Sequence, residues 1–200
     1  MKKTPALLAC MLLLATATFA QSGLQTGERA PDFAGTDLTG RKIDLRHLLK
    51  KHNAVVLFFY RGVWCPYCNK YIQSMQDSLE LLTQKGVYVV GVTPQTDENI
   101  RKTADRHHTS FSMLHDKDYA IMKAYQVDYK VSEEQMAVFH KYHVDLAQYN
   151  GNNDYVLPVP ATYIIDKTGK IVYVQFDKDY THRATVAEIL SAVKKTMTKM

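Results

Sequence analysis

Cys65 and Cys68 are the residues of this sequence best placed for covalent chemistry. A Cys-x-x-Cys pair serves either as a reversible disulfide or as half of a zinc site, and zinc takes four nitrogen or sulfur ligands. The sequence has no second such pair, and its remaining cysteine, Cys10, lies in an N-terminal apolar run. A zinc site would therefore have to recruit from the eight histidines. The surroundings favour redox chemistry instead. Val55-Val56-Leu57-Phe58-Phe59 is an unbroken apolar run rich in β-branched and aromatic residues, which reads as a strand covered on both faces. Arg61 and Gly62 end it. Beyond the cysteines, Ile72, Met75, Leu79 and Leu82 recur at spacings of three and four, predicting one long helix with an apolar face. Pro66 suits the first helical position, where its missing N–H is not needed. Cys65 thus stands at a helix start, beside free backbone N–H groups and the positive end of the macrodipole, a setting that favours thiolate. Cys68 follows one turn inside on the same face, within reach of a disulfide to Cys65. Trp64, just before the pair, is either a core aromatic or a shield for the sulfurs.

These residues carry a resemblance. Trp64-Cys65-Pro66-Tyr67-Cys68 resembles the active site of thioredoxin-fold oxidoreductases. The longer run from Phe59 to Cys68 resembles the peroxiredoxin-like branch of the alkyl hydroperoxide reductase/thiol-specific antioxidant (AhpC/TSA) family. Ala30-Pro31-Asp32-Phe33 and Leu157-Pro158-Val159-Pro160-Ala161-Thr162-Tyr163-Ile164-Ile165-Asp166 extend it over nearly the whole chain. It implies an α/β, thioredoxin-like (peroxiredoxin-type) fold with a central mixed β-sheet flanked by helices. It also implies a Cys65–Cys68 redox disulfide, and it makes Pro160 the counterpart of the cis-proline that faces the pair in thioredoxin folds. Typical family members use a Pro-x-x-x-Thr-x-x-Cys run and a later Arg. Here Arg61 takes the Pro slot, Cys65 the Thr slot, Cys68 the peroxidatic Cys slot, and Pro160 falls where the later Arg would be. Arg61 is the candidate to supply the missing guanidinium.

The rest of the chain must position this site. Its 200 residues, 46% hydrophobic and 22% charged, suit one globular domain over 21–200 with a sizeable core. Lys2 and Lys3 precede an apolar run from Ala6 to Ala20 that ends in small residues. Residues 1–20 therefore read as a secretory signal peptide, too short for a comfortable membrane span. Cleavage is expected after Ala20, with Ala17 as the other site. Removing the segment takes two lysines and no acid, lowering the formal charge from +5 to +3. No basic cluster joins a reading motif, so no nucleic-acid partner is expected. The protein is expected to be exported, periplasmic or extracellular, with no stable membrane insertion. Disulfides persist in such compartments.

In chain order, an extended entry segment (21–35) leads to a hairpin turning at Thr39-Gly40-Arg41 and a short helix from Leu45 to Lys50. After the long helix, which Gly86 caps, Val87 to Val92 forms a second buried strand, parallel to the first. A polar helix (96–107), a strand (Phe111 to Leu114) and a helix (Asp118 to Tyr125) follow. Gln126 to Leu157 shows one amphipathic helix at most, from Ser132 to His143, and then turns. It is the candidate lid or wall of the site. His140 and His143 are spaced to share a face, but with no third ligand no metal is expected. Ala161 to Ile165 and Lys170 to Phe176 form an antiparallel pair, and Val186, Ile189, Leu190 and Val193 mark a C-terminal helix.

The leading reading is a secreted, peroxiredoxin-like antioxidant enzyme that reduces hydrogen peroxide or organic hydroperoxides through Cys65 and Cys68. No cofactor is expected, and the dithiol is regenerated by a thioredoxin-like or other thiol donor. Cys65 is expected to have the lower pKa and to attack disulfide substrates, while attack on peroxide is left open between Cys65 and Cys68. The second reading is a thiol-disulfide oxidoreductase acting on protein disulfides. The third is a non-enzymatic copper chaperone, since thiolates suit Cu(I), although such carriers use a wider cysteine spacing with a distal His.

Overall fold

β3 (Ala54–Phe59) is the spine of the structure, a computed structural model that describes residues 23–198. The expected signal segment and Cys10 lie outside the described residues. Every β3 residue is buried, because its alternating side chains enter two different cores. Val55, Leu57 and Phe59 enter one, and Ala54, Val56 and Phe58 the other. β4 (Val87–Thr93) pairs with β3 in parallel and β8 (Ala161–Asp166) pairs with it antiparallel. β5 (Ser112–His115) and β9 (Ile171–Phe176) complete a mixed sheet in the order β5-β4-β3-β8-β9. This is the expected mixed sheet of the thioredoxin-like fold.

The first core is closed by Leu45 and Leu48 of α1 (Leu45–Lys51), by Ile121 and Met122 of α5 (Ala120–Ala124), and by Leu24, Ala30 and Phe33 of the entry segment. The second is closed by α2 (Pro66–Asp77), α3 (Leu79–Thr83), α4 (Asp97–His107) and α8 (Val186–Thr198). Each fully buried aliphatic side chain contributes about 1.5–3 kcal/mol of transfer free energy, so β3 is held from both sides of the sheet and α2 is held against one of them. The entry hairpin forms as expected, from β1 (Ala34–Thr36) and β2 (Lys42–Asp44).

Four expectations need correction. The long helix after Cys65 is two helices: Ser78 leaves helical geometry at φ −104°, ψ 4°, and α3 restarts the chain so that Leu82 turns fully into the core. The segment 126–157 holds more structure than one helix. β6 (Asp128–Lys130) pairs antiparallel with β7 (Val156–Pro158), and α6 (Glu133–Lys141) and α7 (Leu146–Asn150) lie between them. His140 and His143 do not share a helical face, because α6 ends at Lys141 and His143 takes a left-handed φ of 55°. The Val159–Pro160 bond is trans, since no described peptide bond is cis. Pro158 is tied to Asp128 in the β6–β7 pair and the Val159 N–H donates to the Val127 carbonyl at 2.7 Å. This extended run into β8 accommodates the trans isomer that X-Pro bonds ordinarily prefer.

Candidate active site

Strand direction decides what meets the dithiol. β3 and β4 run parallel, so Tyr60–Cys65 and Pro94–Gln95 leave the same end of the sheet. β8 runs the other way and begins there, which places Pro160, buried, at that end. β9 is antiparallel to β8 and delivers the 177–185 loop to the same end. In open α/β sheets, sites collect where parallel strands end.

Cys65 is the N-cap of α2, and its Sγ accepts the Cys68 N–H at 3.3 Å. Pro66 occupies the first turn, as expected. Cys68, Tyr71, Ile72 and Met75 form the buried face of α2 and hold the turn against the sheet. Both cysteines are free thiols, both are 0% exposed, and their sulfurs lie 2.7 Å apart. A bonded pair needs about 2.05 Å, so the disulfide forms with little motion.

Each sulfur has its own guanidinium. An Arg61 terminal N–H donates to Cys65 Sγ at 3.3 Å, and one from Arg183 donates to Cys68 Sγ at 3.5 Å. Arg61 is 4% exposed and held between aromatic rings, 3.8 Å from the Tyr180 centroid and 5.1 Å from that of Trp64. Tyr129 of β6 lies near enough to interact with it electrostatically. Arg183 is tethered by donating to the carbonyls of Tyr180 and His182. Its Nε and that of Arg61 are buried without a partner among the described residues.

This setting splits the two thiols. Burial would push the Cys68 thiol up, but the hydrogen bond with Cys65 and the charges of Arg183 and Arg61 outweigh it and bring it down to about 5. Cys65 moves up from the ordinary thiol range, first through its hydrogen bond with Cys68, then through burial and the Cys68 charge. A second anion so close to the first is prohibitive, so one proton leaves the pair easily and the other is retained. Cys65 Sγ accepts the Cys68 N–H and an Arg61 N–H, as its expected lower pKa would require, while the charges of Arg183 and Arg61 favour the anion on Cys68, so the two sulfurs compete for one proton.

Trp64 combines its two sequence readings. It packs on Phe139 of α6 with ring centroids 5.1 Å apart, and it lies under Arg61. Gly62 makes room for it: a Cβ there would come within 2.6 Å of Trp64 Nε1 and 2.7 Å of the Gln95 side chain, whose Oε1 accepts the Val63 N–H. The structure therefore brings Arg61, Trp64, Cys65 and Cys68 together and places Pro160 at the same end of the sheet. Sequence reasoning missed Arg183, Tyr180, Tyr129 and Gln95. Arg183 is 115 residues from Cys68, in a polar loop without a motif. The signal that could have found it is topological, because a loop following a strand parallel to β3 must emerge beside Cys65.

Beside Cys65 a half-open groove of about 630 Å³ runs between Trp64, Pro66 and Tyr67 on one side, α6 on the other, and Tyr180 at its edge, with Arg61 in its lining. Among the described residues no three His, Cys, Asp or Glu side chains gather where a metal could bind, and no helix is long and apolar enough to cross a membrane.

Comparison with known proteins gives a consistent picture. The AhpC/TSA family model matches residues 26–174. Over 150 residues the chain is 28% identical to the thiol-disulfide oxidoreductase ResA of Bacillus anthracis, covering 74% of this chain and 68% of that one. Over 169 residues it is 27% identical to Rv2521 of Mycobacterium tuberculosis, provisionally named a peroxiredoxin, covering 84% and 96%. The crystal structure of peroxidoxin BcpB from Mycobacterium tuberculosis superposes with a TM-score of 0.67 at 20% identity, covering 88% of this chain and 99% of that one, a likeness of fold.

Proposed function

The chain belongs to the AhpC/TSA family, and from that premise we propose that it is an exported peroxidase that reduces small hydroperoxides with Cys68 as the attacking sulfur and Cys65 as the resolving one. Family and fold make it a thiol-dependent oxidoreductase acting on peroxide or disulfide substrates. The observation that carries the finer reading is the complete burial of both sulfurs under two guanidiniums. Both substrates need the cover to move, and a peroxide of a few atoms needs a smaller opening than a disulfide on a folded protein.

In the first step the Cys68 thiolate attacks one peroxide oxygen. An S–O bond forms, the O–O bond breaks, and the departing alkoxide or hydroxide takes a proton from water. Arg183 and Arg61 supply positive charge where the negative charge develops. In the second step Cys65 attacks the Cys68 sulfenic acid. The S–S bond forms, the S–O bond breaks, and hydroxide leaves as water with the Cys65 proton. One dithiol and one hydroperoxide thus give one disulfide, one alcohol and one water. A thiol donor, thioredoxin-like or other, returns the pair to its reduced state.

Trp64, the only tryptophan and the neighbour of Cys65, reports on the reaction. In stopped flow, reduced protein mixed with hydrogen peroxide should show a fluorescence change that ends at one equivalent of peroxide per two thiols. A rate no faster than that of free cysteine would refute the reading.

The second reading, exchange with protein disulfides, is favoured by the open groove beside Cys65 and by the resemblance to ResA. Catalysed reduction of insulin, without peroxide turnover, would establish it. Export rests on residues 1–20, and fractionation should find the chain outside the cytosol without them. Full-length chain in the cytosol would contradict this.

A further inference from the structure

Of the two guanidiniums over the dithiol, one belongs to the 177–185 loop and the other is covered by it. Arg61 is buried, yet among the described residues no carboxylate pairs with it and its Nε has no partner. Its closest cover is aromatic, the Tyr180 ring with its centroid 3.8 Å away, and Trp64 follows at 5.1 Å. A guanidinium laid on a ring face keeps the N–H groups of its edge free, and one of these donates to Cys65 Sγ. Tyr180 is itself held in place. The Asp179 N–H donates to Asp177 Oδ1 at 2.8 Å, the Thr181 N–H and hydroxyl donate to Asp179 Oδ1 at 3.0 and 2.8 Å, and the His182 ring meets Asp177 Oδ2 at 2.8 Å. These contacts lie within the loop, so the turn keeps its shape by its own bonds. Tyr67 of α2 packs edge-on against the Tyr180 ring with centroids 5.7 Å apart. The Tyr180 and His182 carbonyls accept from Arg183, which reaches Cys68 Sγ with its other terminal nitrogen. Tyr180 is nevertheless 42% exposed, so it is not there to fill a core.

We infer that Tyr180 is a positioning residue for the dithiol: its ring fixes Arg61 against Cys65 Sγ, from the same turn that holds Arg183 against Cys68 Sγ. The inference concerns the reduced pair and holds whether peroxide or a disulfide is the substrate. Two sulfurs 2.7 Å apart share one negative charge, and Arg61 touches one of them while its charge also supports the anion on the other. Arg61 lines the half-open groove. Without the Tyr180 ring its long side chain is free to swing outward, where water takes the N–H groups. The shared charge then loses part of its support, and thiolate forms only at higher pH. The ring face does this work, and phenylalanine presents the same face. Leucine keeps apolar bulk but has no π system.

The test is a pH titration of the reduced protein followed as thiolate absorbance. No peroxide rate enters it, so its outcome stands apart from the peroxidase reading. In Tyr180→Leu the first thiolate should appear about one pH unit higher than in the wild type, a tenfold change in the ionisation constant. Tyr180→Ala, which removes the bulk as well, should give the same shift, and Tyr180→Phe should titrate with the wild type. Arg61→Gln alone should also move the titration upward. Adding Tyr180→Leu to Arg61→Gln should move it no further, because the ring then has no guanidinium to hold. An unchanged titration in both Tyr180→Leu and Tyr180→Ala overturns the inference. The full leucine shift on the Arg61→Gln background also overturns it, since the ring would then act through the shape of the loop and not through Arg61. A shift in Tyr180→Phe as large as that in Tyr180→Leu overturns it as well, and assigns the effect to the hydroxyl.

Discussion

On the α2 side of the groove, Cys68, Tyr71, Ile72 and Met75 are buried against β3 and α8, whereas α6 on the other side has no fully buried residue and packs only Met136 and Phe139, partly buried, on a small cluster. One wall is part of the main core and the other is attached to it. The α6 wall stands on the β6–β7 pair and a small cluster of Val131, Leu146 and Leu157, joined to the active site through Trp64. The dithiol must keep its sulfurs and guanidiniums within a few tenths of an ångström, which takes a rigid support. The α6 wall carries no part of that pair, and it leaves Val138 and Tyr142 exposed.

Substitutions on the two walls should therefore differ sharply. Ile72→Ala, at a fully buried α2 position, is expected to cost about 2–5 kcal/mol, read by urea unfolding of the reduced protein. Arg183→Gln tests the chemistry of the rigid side. Loss of a charge-assisted contact worth about 1.5–3 kcal/mol should raise the Cys68 titration by about one to two pH units, followed as thiolate absorbance. The same titration governs stability. Cys68 is depressed from 9.0 to about 5, so its contribution is complete above the unfolded value and is lost as pH falls through 5. Cys65 is raised, so its contribution is present below 9 and is lost as pH climbs above it. Reduced protein should thus gain stability from pH 5 to 9, by at most about 1.4 kcal/mol per pH unit for one proton, and lose it beyond. Cys68→Ser should flatten the rise.

Gly62→Ala should cost about 1–3 kcal/mol through overpacking, because the added Cβ meets Trp64 and Gln95. It should also shift Trp64 fluorescence. Val138→Ala, on the open wall, should stay within about 0.5 kcal/mol of wild type. A large loss there would show that α6 belongs to the core after all.

The rigid side is also the side the sequence reveals. The apolar run of β3, the three-and-four spacing of α2 and the Pro66 start are local patterns, and they locate Cys65 and Cys68 without tertiary knowledge. The α6 wall gives weaker signals because β6 and β7 are three residues each and pair across an insertion, so no period develops within either. Ser78 breaks a helix whose apolar spacing continues unbroken through it, since spacing records which face is buried and not whether the axis bends. Arg183 was invisible for another reason. Its role depends on the β8–β9 turn returning the chain to Cys68, and the polar residues around it read as an ordinary loop.

The central claim is that Cys68, held as thiolate by two guanidiniums, attacks the peroxide, with Cys65 resolving it. The direct measurement is mass spectrometry of the two single variants after one equivalent of hydrogen peroxide in the presence of dimedone. Cys65→Ser should carry the dimedone adduct of a sulfenic acid on Cys68, while Cys68→Ser should remain a free thiol over the same interval. An adduct on Cys65 in Cys68→Ser, with none in Cys65→Ser, would contradict the account and make Cys65 the attacking sulfur.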